Sequence, residues 1–188
     1  MSETETEKII RSWWERALGN NPVVDNGAAR KARAQLRRAT TPSEVLSIEA
    51  THALHDDLVK VAAKPPFAED GGPVRLALVA AVIAGLDGTA RSSLPRRFGE
   101  KEGDNPRLSH LRFQRILRAG DDWTLATRLR RALPLVGRTA NVGRLGADLL
   151  DWGENTRNRW CFDYFGASPP GQEDAPTVSQ QLVEHEEG

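Results

Sequence analysis

The run LALVAAVIAGL, residues 76–86, constrains this chain more than any other stretch. Wound as a helix it is apolar on every side, so it has no face to turn to water and must lie inside a shell of other helices. Its alanines let those neighbours approach closely. It falls far short of the ~20 apolar residues a membrane helix needs. The enclosure must therefore come from the chain itself, and residues 74–86, opened by Gly-Gly-Pro, are read as a buried helix.

Flanking segments supply the shell. Ile9, Ile10, Trp13, Trp14, Ala17 and Leu18 share one face of a helix over 4–18, which GNNP ends. In GAARKARAQLRRA (27–39), Ala28, Ala29, Ala32, Leu36 and Ala39 form a narrow apolar stripe opposite Arg30, Lys31, Arg33, Arg37 and Arg38. TTPSE then places Thr41 as N-cap, Pro42 at the first helical position and Glu44 three after the cap. This predicts a helix to about Ala63, where KPPF breaks it.

Two helices at 107–119 and 122–136 meet at Gly120, with Asp121 or Asp122 capping the second. Two short ones, 142–152 and 156–165, close the domain. Residues 87–106 are polar and dense in glycine and proline, which predicts a long loop, functional or mobile. No run alternates with strand period, and no repeat is present. The expected fold is all-α, a bundle of about seven to eight helices, as one unit or as two small lobes around a shared core.

Charge divides the chain further. Lys and Arg total 26, as do Asp and Glu. Residues 1–7 carry three acids and no base, and residues 166–188 carry five acids and no base, so residues 8–165 hold a net +8. The organisation is an acidic N-terminal extension (1–7), a basic helical domain (8–165) and an acidic tail (166–188). The tail has no core material before Leu182 and Val183 and reads as disordered. Arginine outnumbers lysine 21 to 5, and its planar fork is suited to phosphate. A basic body of this kind fits a polyanionic partner.

The placement of the arginines is more informative than their number. In RLSHLRFQRILRAGDDWTLATRLRR (107–131), seven residues are arginine and two are acidic. Arg112, Arg115 and Arg118 fall within a ~120° arc of the first helix, apart from Phe113, Ile116 and Leu117. On the second, Arg128, Arg130 and Arg131 point away from the apolar face of Leu125, Leu129, Ala132, Leu133 and Val136. An ion-paired surface helix interleaves signs at i, i+4; these do not. Three such helices, with 27–39 the third, indicate phosphate binding, although whether their faces merge depends on tertiary packing.

Other chemistries find less support. His52 and His55 share a helix face but lack a convincing third metal ligand, and no HExxH, paired CxxC or phosphate-cradling glycine loop occurs. Asp148, Asp151 and Glu154 are better matched to Arg157 and Arg159 than to a nuclease metal. The single cysteine, Cys161, excludes an intramolecular disulfide and a cysteine-cluster zinc site. No enzyme activity, metal or cofactor is expected. The N-terminus lacks the basic-then-apolar pattern of a signal, so the expectation is a soluble cytoplasmic protein without a membrane partner. The helix–GDD–helix at 107–136 admits one alternative, a helix-turn-helix transcriptional regulator. Its second helix, however, is poor in the Asn, Gln and Ser that read base edges. Among the tryptophans, Trp123, beside a helix start, is the one placed to stack on a base.

LRRATTPSEV (36–45), the buried helix near residue 80, LRFQRILRAGDDWTLATRLRRALPLV, LGADLLDWG and RNRWCFDYF together resemble the CasB family. The most specific parts are Ser109-x-x-Arg112-Phe113 with Leu117 following, the Leu129-Arg130-Arg131 triplet, and the Trp152…Trp160 ending. CasB is the small subunit of the type I-E CRISPR surveillance complex, Cascade. The resemblance spans roughly 8–165 and departs in the 87–106 loop and the acidic tail. It implies a non-catalytic subunit, present in two copies beside the backbone and large subunits, that helps hold CRISPR RNA and target DNA as an R-loop. It singles out Arg37, Arg38, Arg112, Arg118, Arg130 and Arg131 as nucleic-acid contacts. Arg33 and Arg115 join on helical-face grounds, and Arg96 and Arg97 in the loop are lesser candidates.

Overall fold

A computed structural model describes residues 3–19, 27–61 and 71–167. Residues 20–22 of the predicted GNNP break and nearly all of the acidic tail lie outside them, while the helix predicted to about Ala63 ends earlier, at Val59, with Lys60 as its C-cap. Ten α-helices are present among the described residues: α1 Glu5–Ala17, α2 Gly27–Arg38, α3 Pro42–Leu46, α4 Glu49–Val59, α5 Gly72–Ile83, α6 Leu94–Gly99, α7 His110–Leu117, α8 Asp122–Ala132, α9 Val142–Leu150 and α10 Glu154–Phe165. A 3₁₀ turn, Leu133–Val136, extends α8. The fold is all-α, with more and shorter helices than the sequence pattern predicts.

The apolar run is the axis of the molecule. Every residue from Leu76 to Leu86 except Gly85 belongs to one contiguous buried cluster that also takes in Ile10, Trp13, Leu36, Phe113, Leu129 and Trp160. Helices α3, α4, α8 and α9 pack around α5, α1 lies across α9 and α4, and α10 seats on α6. There is one core, not two lobes. Close approach is built in at α9: a Cβ at Gly143 would sit 2.6 Å from the Glu7 carbonyl oxygen, and one at Gly146 would sit 2.6 Å from Ile10 Cγ2. The N-terminal acids belong to this packing. Thr4 and Glu7 cap α1 reciprocally, and Glu3 pairs with Arg11 at 2.9 Å.

Two expectations need correction. The helix predicted from Thr41 to about Ala63 is split into α3 and α4, because Ile48 takes an extended conformation (φ −94°, ψ 124°). At the break the Val45 carbonyl accepts from the Ile48 N–H at 3.2 Å and from the Thr51 hydroxyl at 2.8 Å. Ile48 keeps the apolar rhythm, so periodicity alone passes over the kink.

The 87–106 segment is not a free loop. It contains α6, with Leu94, Pro95 and Phe98 buried. It is also stitched to the turn after α8 through β1 (Gly88–Thr89) and β4 (Thr139–Ala140), a short parallel pair. Asp87 N–H donates to the Arg138 carbonyl at 2.8 Å, and Asn141 N–H to the Ser92 carbonyl at 3.1 Å. A second pair, β2 (Lys101–Glu102) and β3 (Asn105–Pro106), forms a hairpin. Few apolar residues anchor the segment, and the rest of its order comes from backbone hydrogen bonds that composition does not reveal.

Candidate nucleic-acid interface

The end of α2 and the outer side of α8 meet across the C-terminal end of α5. Arg37 and Arg38 from α2, Arg130 and Arg131 from α8, and Arg138 from the following turn line one concavity with Thr40, Gly85, Trp123 and Thr127. Arg112 and Arg115 from α7, with Arg128 and Arg131 from α8, line a second with Leu108, Ile116, Ala132 and Leu135. Arg131 belongs to both, so the two adjoin and the faces of α2, α7 and α8 form one cationic surface. No carboxylate lines either concavity.

The two acids of the 107–131 stretch are used elsewhere. Asp121 caps α8, accepting from the Thr124 N–H at 2.7 Å, and these hydrogen bonds hold its carboxyl below the usual range. Asp122 pairs with Arg75 at 2.6 Å. Neither ion-pairs with an arginine of α7 or α8, so the positive charge of those two helices goes largely uncompensated, whereas Arg37 and Arg138 share Asp87.

The eight arginines selected from the sequence separate into two kinds. Arg33, Arg37 and Arg130 are half-buried and bonded within the fold. Arg33 reaches the Leu86 carbonyl and Asp87, the latter at 2.8 Å. Arg37 donates to the Ala84 carbonyl at 2.7 Å and to Asp87 at 2.6 Å. Arg37 therefore satisfies the open C-cap carbonyl of α5, and both arginines bind the turn that follows the helix. Arg130 donates to the carbonyls of Ala39, at 2.7 Å, and Arg37. The expectation that Arg130 points away from the protein is thus corrected: its guanidinium ties α8 to the end of α2. Burial draws its pKa down, as it does that of Arg33.

Asp87 completes the cluster. Burial pushes its carboxyl up, but the hydrogen bond and charge of Arg37, with Arg33 and Arg138, outweigh this and hold it below its ordinary range.

Arg38, Arg112, Arg115, Arg118 and Arg131 are exposed, and their guanidinium groups have no partner among the described residues. Arg115 receives instead: its backbone carbonyl accepts from Arg128. Arg33 and Arg118 line neither concavity. Arg96 is exposed, and Arg97 donates to the Val136 carbonyl at 3.1 Å. Sequence reasoning missed Arg138, whose signal was its place in an acid-free turn. It also missed the pairing of Trp123 with Thr40: the indole donates to the Thr40 carbonyl at 2.9 Å, which fixes the ring at the rim of the first concavity.

The remaining candidates take structural roles. His52 Nε2 bonds the Leu46 carbonyl at 2.7 Å. Buried Asp148 accepts from the Trp160 indole at 2.6 Å and pairs with Arg159, while Glu154 pairs with Arg157 at 3.5 Å. Burial raises the Asp148 carboxyl pKa despite these partners. No group of three or more metal-ligating side chains occurs among the described residues, and no helix among them is long and apolar enough to cross a membrane.

The described residues form a small all-α domain wrapped on an alanine-rich axis, with arginines gathered in adjoining concavities. The model of the CRISPR-associated protein Cse2 family matches residues 32–165, and the chain belongs to that family. CasB from Thermus thermophilus is similar at 27% identity and a TM-score of 0.63, over 87% of this chain and 99% of that one. A second structure, of a Cse2-family CRISPR-associated protein also from Thermus thermophilus, aligns at 26% identity with the same TM-score of 0.63, over 87% of this chain and 99% of that one. A chain of E. coli Cascade bound to a PAM-containing dsDNA target shares the fold at 19% identity, with a TM-score of 0.58 over 89% of this chain and 100% of that one. Comparison with curated proteins gave no match.

Proposed function

We propose that this chain is a non-catalytic subunit of a Cascade ribonucleoprotein that contacts phosphate backbones and stabilises the R-loop formed by CRISPR RNA and target DNA. The observation that carries the reading is the continuous arginine surface, without a lining carboxylate, where α2, α7 and α8 meet. Family membership supports the setting: the backbone and large subunits of the complex, and a second copy of this chain, are the partners it implies, in the cytoplasm.

Sequence recognition in such complexes belongs to guide pairing, and exchange of a DNA duplex for a heteroduplex is nearly balanced, so modest backbone contacts tip it. Arg38, Arg112, Arg118 and Arg131 supply charge without a structural bond to lose, and Trp123 lines the first concavity with Arg38 and Arg131.

The test is R-loop lifetime in a reconstituted complex carrying Arg38→Ala, Arg112→Ala, Arg118→Ala and Arg131→Ala together. Assembly and thermal melting should be unchanged while the R-loop collapses faster. For the free protein, log K against log salt should lose about one unit of slope for each phosphate contact removed. An unchanged lifetime in a normally melting variant overturns the proposal. A thousandfold preference for one duplex sequence would instead establish the helix-turn-helix regulator.

A further inference from the structure

The second concavity differs from the first in its chemistry. Its floor is apolar, from Leu108, Ile116, Ala132 and Leu135, and its walls are Arg112, Arg115, Arg128 and Arg131. Bare phosphate has no use for that floor. Leu135 is 38% exposed there, and Leu111, on the turn of α7 beside Arg112, is 59% exposed. A site of this kind matches a peptide that joins an aliphatic stretch to a run of acidic side chains.

The chain carries one. Residues 182–187 read Leu-Val-Glu-His-Glu-Glu, the only aliphatic pair in the acidic tail followed directly by three of its five acids. The tail also leaves the domain next to this site. The Tyr164 hydroxyl donates to the carbonyl of Leu108, a floor residue, at 2.7 Å. The Phe165 ring lies 5.4 Å from that of His110, the first residue of α7. Fourteen residues lie between Ala167 and Leu182; at ~3.5 Å per residue step the connection spans at most ~50 Å. A domain of this size has a radius of gyration of ~15 Å, so the segment reaches the concavity with chain to spare.

We propose that the concavity between α7 and α8 is a docking site for an acidic–aliphatic peptide, and that in the free protein its occupant is this chain's own 182–187 segment. Leu182 and Val183 cover the apolar floor, and Glu184, Glu186 and Glu187 meet the arginine walls. Docked there, the segment competes with nucleic-acid phosphate for Arg112, Arg115 and Arg131, and a polyanion of higher charge density displaces it. The competition rests on the phosphate-binding function proposed above; the docking itself does not.

The experiment uses the full chain with Glu184→Gln, Glu186→Gln and Glu187→Gln, and as a control Glu173→Gln with Asp174→Asn. The first readout is the amide NMR spectrum without nucleic acid. The triple variant should move resonances of residues 108–118 and 128–135, at an amplitude independent of protein concentration, and the control should not. Unmoved resonances, or equal shifts from the control, overturn the docking. Shifts that grow with protein concentration replace the cis occupant with a second copy's tail and overturn it as stated.

The second readout is binding of a fluorescent oligothymidylate. A tethered competitor has an effective concentration on the order of millimolar, so its release should tighten binding by about two- to tenfold at low salt and leave it unchanged at high salt. Moved resonances with no oligothymidylate binding by either protein would leave the docking standing and refute phosphate binding. Intact binding with unmoved resonances would do the reverse.

Discussion

Arg130 and Arg131 are adjacent in sequence, equally charged, and opposite in expected consequence. Replacing Arg130 with alanine removes the donors that the Ala39 and Arg37 carbonyls accept from. A hydrogen bond to a charged group contributes roughly 1.5–3 kcal/mol. These two share one half-buried guanidinium, and water reaches part of the vacated space, so the loss should be about 2–4 kcal/mol. At roughly 2–4 °C per kcal/mol for a chain of this size, the midpoint should fall by about 5–15 °C. Arg131→Ala removes an exposed side chain without a partner among the described residues, and the change should stay within about 0.5 kcal/mol. The assay is a thermal melt and urea titration of both variants, paired with the salt dependence of oligonucleotide binding. Arg131→Ala should melt like the parent and lower the salt slope by about one. Equal destabilisation by the two substitutions, or none by either, would refute the division into structural and free arginines.

Two further outcomes follow from the packing and the charges. A Cβ at Gly99 would lie 1.8 Å from the Tyr164 carbonyl oxygen, and the obstacle is backbone. Gly99→Ala must therefore separate α6 from α10, costing about 3 kcal/mol or more and lowering the melting midpoint; an unaltered midpoint would contradict the contact. The carboxyl of Asp87 is held below its ordinary range by Arg37, Arg33 and Arg138 after burial has pushed it the other way. Its contribution is thus present above the usual carboxylate pKa and lost as pH falls through its depressed value. Asp87→Asn should destabilise at pH 7 by no more than about 1 kcal/mol, given its exposure, and the difference from the parent should vanish in strong acid. A gap that widens on acidification would reverse the sign of the argument.

The sequence by itself determined the class of fold and the kind of surface. An eleven-residue apolar run without a polar face can only be the inside of something, and the amphipathic stripes around it have no other place to bury themselves. The excess of arginine on α2, α7 and α8 was legible for the same reason, since helical period fixes which residues share a face.

Tertiary structure decided what each arginine does. Helix ends leave carbonyls open, and where α2, α5 and α8 converge the nearest donors happen to be Arg33, Arg37 and Arg130. A wheel drawn for one helix cannot show that a polar face meets the open end of another. The order within 87–106 escaped for a related reason, because pairs such as Asp87 with Arg138 join residues about fifty apart through backbone groups that every sequence carries alike. Periodicity records which way a side chain faces on its own element. Only the meeting of elements settles whether it faces solvent, a carbonyl or a partner.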